Sequence, residues 1–153
     1  MQNLIKMYNQ TLFLREATEN DAELLFGWVN EENVRKNSIR QEPVTWDNHI
    51  KWLAKKLNSP ETKLFILCSE NEALGQIRVD KKDLYWEIDY SVDYQYRGKG
   101  LGKEIVRLLI KKLENYKLKA TVKKQNKASI NVFVNLGFKK IQIESDDFEY
   151  FEY

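Results

Sequence analysis

The chain has 153 residues, 42% of them hydrophobic and 31% charged, which is ordinary for one globular domain. Twenty-five basic against 23 acidic residues leave a net charge of +2, too even for a nucleic-acid-binding face. The lone cysteine, Cys68, forms no internal disulfide, and no run nears the roughly 20 apolar residues of a membrane span. With no signal-peptide pattern in Met1–Tyr8, the expectation is a cytoplasmic protein that engages neither membrane nor nucleic acid.

In chain order, Thr11–Arg15 alternates polar and apolar residues and predicts a first strand. Thr18 supplies an N-cap oxygen for a helix in which Ala22, Leu25, Phe26 and Val29 recur at helical spacing. Residues 30–36 predict a short second helix, 38–44 a loop, and Thr45 the cap of a third helix, stopped at Asn58-Ser59-Pro60. The period then changes to two, over Lys63–Ser69, Ala73–Asp80 and Leu84–Val92. The short turns between these strands make them an antiparallel meander. After a glycine-rich loop comes a helix carrying Ile105, Val106, Leu108, Leu109 and Leu113. Then follow a strand at Leu118–Val122, a helix at Lys127–Leu136 and strands at Phe138–Ile143 and Phe148–Tyr153. No linker or repeat divides this order, so residues 1–153 read as one mixed α/β domain.

Three of the six glycines fall at 98, 100 and 102, between a strand and a four-turn helix. Free amides and the dipole at a helix start attract anions, and glycine lets a phosphate approach the backbone. Arg97, Lys99 and Lys103 add cations there, against the helix dipole, so a pyrophosphate would balance them. Taken alone, the glycines also fit a tight turn. The preceding meander excludes a dinucleotide βαβ fingerprint, and Gly98-Lys99-Gly100 lacks the hydroxyl of a nucleotide P-loop.

Arg97-Gly98-Lys99-Gly100-Leu101-Gly102 resembles the Arg/Gln-x-x-Gly-x-Gly/Ala element of the GNAT N-acetyltransferases. Asn126, Ser129 and Phe133, followed by Gly137-Phe138, are similar to that family's later Asn-x-x-Ser/Ala element. The resemblance spans roughly residues 11–153. It implies the GNAT fold, a mixed, mostly antiparallel sheet splayed between its fourth and fifth strands and flanked by helices. It also implies acetyl-CoA as co-substrate in the splay, with no metal. Tyr90, Ser91 and Val92 would line the pantetheine arm, and the amides from Arg97 through Gly98, Lys99, Gly100, Leu101 and Gly102 to Lys103 would hold the pyrophosphate. Asn126 and Ser129 would flank the arm, with Phe133 beside the thioester. Asn126 is also read as an N-cap. Phe133 stands where many members have a tyrosine that protonates the leaving thiolate, so the general acid is left open.

An amine attacking a thioester needs a base, because it is mostly protonated at neutral pH. Trp86-Glu87-Ile88-Asp89-Tyr90 resembles the Glu-Ile-Gly-Tyr stretch of several branches of that family, which implies Glu87 first, with Asp89 second and the amide near Tyr90 as oxyanion donor. Alternating carboxylates on a strand also simply face solvent. Trp28 to Arg35 and Gly75 to Arg78 look like stretches of amino-sugar N-acetyltransferases of the pseudaminic-acid type. That resemblance implies an amino-sugar nucleotide as acceptor, contacted by Trp28, Asn30, Arg35, Gln76 and Arg78. A ribosomal-protein N-terminus, a polyamine and a non-catalytic acetyl-CoA-binding module are the alternatives. The aromatic last strand reads either as core or as an edge pairing across a homodimer.

Overall fold

A computed structural model describes residues 12–153. The predicted start at Thr11 lies outside them, and the first described strand, β1, is Phe13–Glu16. Arg15 grips both oxygens of Asp21 at 2.7 and 2.8 Å. Asp21 in turn accepts the Thr18 amide and closes a capping box. Thr18 therefore heads a 3-10 turn, Glu19–Asp21, and helix α1 follows at Ala22–Val29. Leu25 and Trp28 are its buried residues. Helix α2 is Glu32–Asn37, and α3, Trp46–Leu57, is capped by Thr45 as its sequence predicts.

The meander is β2 (Thr62–Cys68), β3 (Ala73–Lys82) and β4 (Tyr85–Val92), with the last turn at Asp83 and the exposed Leu84. Then come α4 (Leu101–Lys112), β5 (Leu118–Lys123), α5 (Lys127–Asn135), β6 (Lys139–Ile141) and β7 (Phe148–Glu152). Seven strands form one sheet in the order β1-β2-β3-β4-β5-β7-β6. Every neighbouring pair is antiparallel except β4 with β5.

The edge reading of the final strand is corrected by this order. β7 lies between β5 and β6, so both its sides are hydrogen-bonded and β6 is the outer strand. Phe151 is 1% exposed, which makes this strand core.

Both faces of the sheet are covered. Under α4 and α5 lie Ile77, Val79, Ile88, Ile105, Leu109 and Phe133; under α1 and α3 lie Leu25, Trp28, Leu53 and Ile66. Each large side chain so buried contributes about 1.5–3 kcal/mol. His49 is buried with its Nε2 2.9 Å from the Ala22 carbonyl and its ring stacked on Trp52, a packing residue of α3. No helix among the described residues is long and apolar enough to cross a membrane.

Asp80 on β3 gathers Lys56 Nζ, Thr62 Oγ1 and Arg78 Nε, each at 2.8 Å. Burial alone would raise its carboxyl, but these donors bring it from 3.8 to about 2. A depressed carboxyl stabilises the fold above its unfolded value and stops doing so as pH falls through its folded one. The gap is worth roughly 2 kcal/mol. Asp80→Asn should lower stability at pH 7 and flatten its decline between pH 4 and pH 2. Urea titrations at the three pH values measure this, and parallel curves for variant and parent would contradict it.

Candidate active site

The site begins where β4 parts from β5. Their parallel register holds only at Trp86↔Leu118 and Glu87↔Lys119. The Trp86 amide still donates to the Lys117 carbonyl at 2.8 Å. Backbone groups alternate along a strand, so the N–H and C=O of Ile88, Tyr90 and Val92 face that same side. The Asp93 amide, turned the other way, bonds Leu74 on the β3 side. Meanwhile β5 stays paired with β7 as far as Lys123↔Phe148. A strip of β4 main chain therefore looks into an open fork, where buried polar groups call for a partner.

At the mouth of the fork, Asp93 caps the turn Tyr94–Tyr96 and accepts Trp28 Nε1 at 2.8 Å. Gly98 and Gly100 have φ of +76° and +81°, a conformation that glycine adopts without a Cβ penalty. Gly100 is the N-cap of α4 and has no side chain to satisfy the helix's first amides. The 12-residue helix thus opens onto the fork with free donors and a positive dipole end. Lys99 lies 5.7 Å over the Tyr96 ring, and Lys103, in the first turn of α4, lines the space in front of the fork.

The Arg97 side chain is committed elsewhere. Its Nε donates to the Val92 carbonyl at 3.1 Å and its guanidinium pairs with Glu31 at 2.9 Å. Burial alone would raise the Glu31 carboxyl, but Arg97 and the Asn33 and Val34 amides hold it below its ordinary value. The Glu31 carboxylate is also the cap of α2.

The far wall is α5. Asn126 accepts the Ser129 amide, and Ser129 Oγ lies 3.0 Å from the Tyr90 hydroxyl. Burial raises the Tyr90 phenol, the Ser129 bond opposing it. Phe133 is 2% exposed and meets Tyr90 edge-on at 5.9 Å. Asn126, Ser129, Phe133 and Tyr90 thus come together as one surface.

On the opposite face of β3 and β4, cross-strand register pairs Gln76 with Ser91, Arg78 with Asp89 and Asp80 with Glu87. Gln76 Nε2 donates to Asp89 at 3.2 Å and to Ser91 at 3.3 Å. Arg78 bonds Asp80, approaches Asp89 at 3.7 Å and lies 5.1 Å from the Trp52 ring centre. A cavity of about 1110 Å³ joins this face to the glycine loop and α5.

The remaining acceptor candidates also have structural duties. Trp28 is buried and holds Asp93. Asn30 makes both hydrogen bonds of its amide with Val44. Arg35 donates to the carbonyls of Val29, Arg40 and Glu42 and to Ser38 Oγ. Asn30 and Arg35 shape the segment 30–44 from within. Among the described residues, no group of three or more His, Cys, Asp or Glu is placed to hold a metal.

The profile of the acetyltransferase (GNAT) domain matches residues 11–139. The chain belongs to the GNAT acetyltransferase family. An uncharacterized protein of Methanocaldococcus jannaschii is 30% identical over 84% of this chain, which spans 28% of that protein's length. An uncharacterized N-acetyltransferase from the SPbeta prophage of Bacillus subtilis is 27% identical over 86% of this chain and 77% of its own. The spermidine N-acetyltransferase of Vibrio cholerae, solved with coenzyme A and spermine, superposes with a TM-score of 0.83 at 14% identity, covering 94% and 95% of the two chains. An aminoglycoside acetyltransferase and a ribosomal-protein alpha-N-acetyltransferase, both with coenzyme A, share the fold at TM-scores of 0.76 and 0.79. They are 21% and 17% identical over 94% of this chain, and 94% and 93% of their own.

Three contacts of this GNAT domain escape a reading of its sequence. Glu31 reaches Arg97 across 66 residues, while Lys123 Nζ and Gln125 Nε2 bond the Lys36 carbonyl across 87 and 89. No local pattern marks any of them. Gly75 is explained only by packing: a Cβ there would sit 2.5 Å from the Ser91 carbonyl oxygen and 3.2 Å from Val92 Cα. Backbone cannot yield as a side chain can, so Gly75→Ala should cost about 1–3 kcal/mol, read as a lower denaturant midpoint. An unchanged midpoint would mean that β3 and β4 separate freely here.

Proposed function

We propose that this GNAT domain moves an acetyl group from acetyl-CoA to a primary amine on a sugar nucleotide. The observation that carries the first half is the strip of β4 main chain facing the fork beside the uncapped start of α4. An amide-bearing arm can pair with Tyr90 and Val92 in the fork, flanked by Ser91, while the amides from Arg97 to Lys103 receive its pyrophosphate. Asn126 and Ser129 border that arm, and Phe133 closes the far end. The cationic charge there comes from Lys99 and Lys103, since the Arg97 guanidinium is held by Glu31.

Two features support the sugar-nucleotide acceptor. The cavity is large enough for a bulky acceptor beside the coenzyme, and among the described residues the Arg40 side chain lines it without a hydrogen-bond or ion-pair partner. Arg40 and Lys82 can meet a diphosphate at the rim, while Trp52 and Trp28 border the interior. The likeness of Trp28–Arg35 and Gly75–Arg78 to amino-sugar transferases points the same way.

Chemically, an activated thioester needs little more than placement, a neutral amine and a donor for its oxygen. Placement supplies several kcal/mol, and an aimed backbone donor about 3. The Tyr90 amide fills the last role. Glu87 takes the amine's proton, directly or through water, from the same face that carries Asp89 and Gln76.

The test is thiol release from acetyl-CoA with 4-amino-sugar nucleotides, N-terminal peptides and spermidine offered in parallel. Preferential turnover of the sugar nucleotides is expected. Acceptance of peptides alone would overturn that acceptor, and no release with any amine would leave a binding module. Glu87→Gln should slow turnover about 100-fold at low pH, with the defect shrinking as rising pH deprotonates the amine. A defect that does not vary with pH would remove Glu87 as base.

A further inference from the structure

Gln76 holds the one buried side-chain polar atom without a partner among the described residues, its Oε1. The residue is 8% exposed and lines the cavity. Which end of the amide faces Asp89 is settled, because Oε1 against the carboxylate would set acceptor to acceptor. A buried carbonyl oxygen without a donor is unfavourable, and an N–H supplied by a ligand relieves it. Beside it the Asp89 side chain, 58% exposed, is tethered by Gln76 and Arg78. Asp89 lies two residues beyond Glu87, the last β4 residue in register with β5. A neutral and a charged acceptor are therefore neighbours just where the fork opens.

We propose that Gln76 Oε1 and the Asp89 carboxylate together seat the acceptor's primary amine. This rests on the acyl-transfer reading above and assigns the part of the acceptor that reacts. A neutral primary amine has two N–H donors and one lone pair. With one N–H on each acceptor, the lone pair is left toward the fork. The terminal torsion of glutamine is broad, so a small rotation brings Oε1 toward an arriving N–H while Nε2 stays within reach of Asp89.

Two protons leave the nitrogen, and two carboxylates are there to take them. The ammonium gives its first proton to Glu87, which releases it to water. The nitrogen lone pair forms the C–N bond as the C–S bond breaks, and that electron pair departs on the thiolate. The nitrogen's second proton passes to Asp89 and then, through water, to the thiolate. The products are the amide, the coenzyme A thiol and one proton. An alcohol offers one O–H where the seat has two acceptors, so the hydroxyl analogue of an acceptor is rejected.

The test measures thiol release by the full chain at saturating acetyl-CoA, against varied 4-amino-sugar nucleotide and, separately, spermidine. For Gln76→Leu the acceptor KM should rise about 10- to 100-fold. The acetyl-CoA KM and the calorimetric affinity for coenzyme A should stay near those of the parent. Asp89→Asn should lower kcat about 100-fold. An unmoved acceptor KM in Gln76→Leu overturns the seat, as does an equal loss of coenzyme A affinity. So does failure of both amines to be acetylated by a chain that binds coenzyme A. If the parent binds no coenzyme A, the acyl-transfer reading itself falls and the seat with it.

Discussion

The structure turns on a strand that loses its partner. β4 shares only two register positions with β5, then continues for five residues with one edge open. Main-chain donors and acceptors inside a protein are seldom left unpaired. The edge persists because the rest of the sheet is secured elsewhere: β4 by eight register pairs with β3, and β5 by five with β7. Two well-anchored half-sheets can afford to diverge where a single continuous one would close.

Alternation then sorts the chemistry onto two faces. Ile88 and Tyr90 turn toward α4 and α5 and join the core there. Glu87, Asp89 and Ser91 turn toward α1–α3, opposite Asp80, Arg78 and Gln76 of β3. The open edge and the carboxylate-bearing face are thus made by consecutive residues of one strand. Their relative position is set by covalent geometry and the sheet, not by a flexible loop.

Much of this was legible in the residues. The switch from helical spacing to period two placed the meander, Thr45 marked the start of α3, and the clustered glycines at 98 and 100 marked the turn into α4. The central strand position of β7 was not legible. Phe148–Tyr153 carries the same aromatic residues whether it is edge or interior, and only its pairing with both β5 and β6 decides. Nor was the work of Arg35 and Asn30, whose partners are main-chain atoms and leave no pattern. Arg97 was expected to face an anion of the ligand and instead faces Glu31, a long-range pairing that no spacing rule reports.

Helix α2 is tied at both ends to opposite jaws of the fork. Glu31, at its start, binds Arg97 on the β4 side; the Lys36 carbonyl, near its end, takes Lys123 and Gln125 from the β5 side. Such a crossbar makes the width of the crevice and the shape of the wall formed by residues 30–44 a single mechanical variable. Spreading the jaws tilts or strains α2, and with it the segment that Arg35 and Asn30 hold together. One compartment cannot be resized without the other registering it.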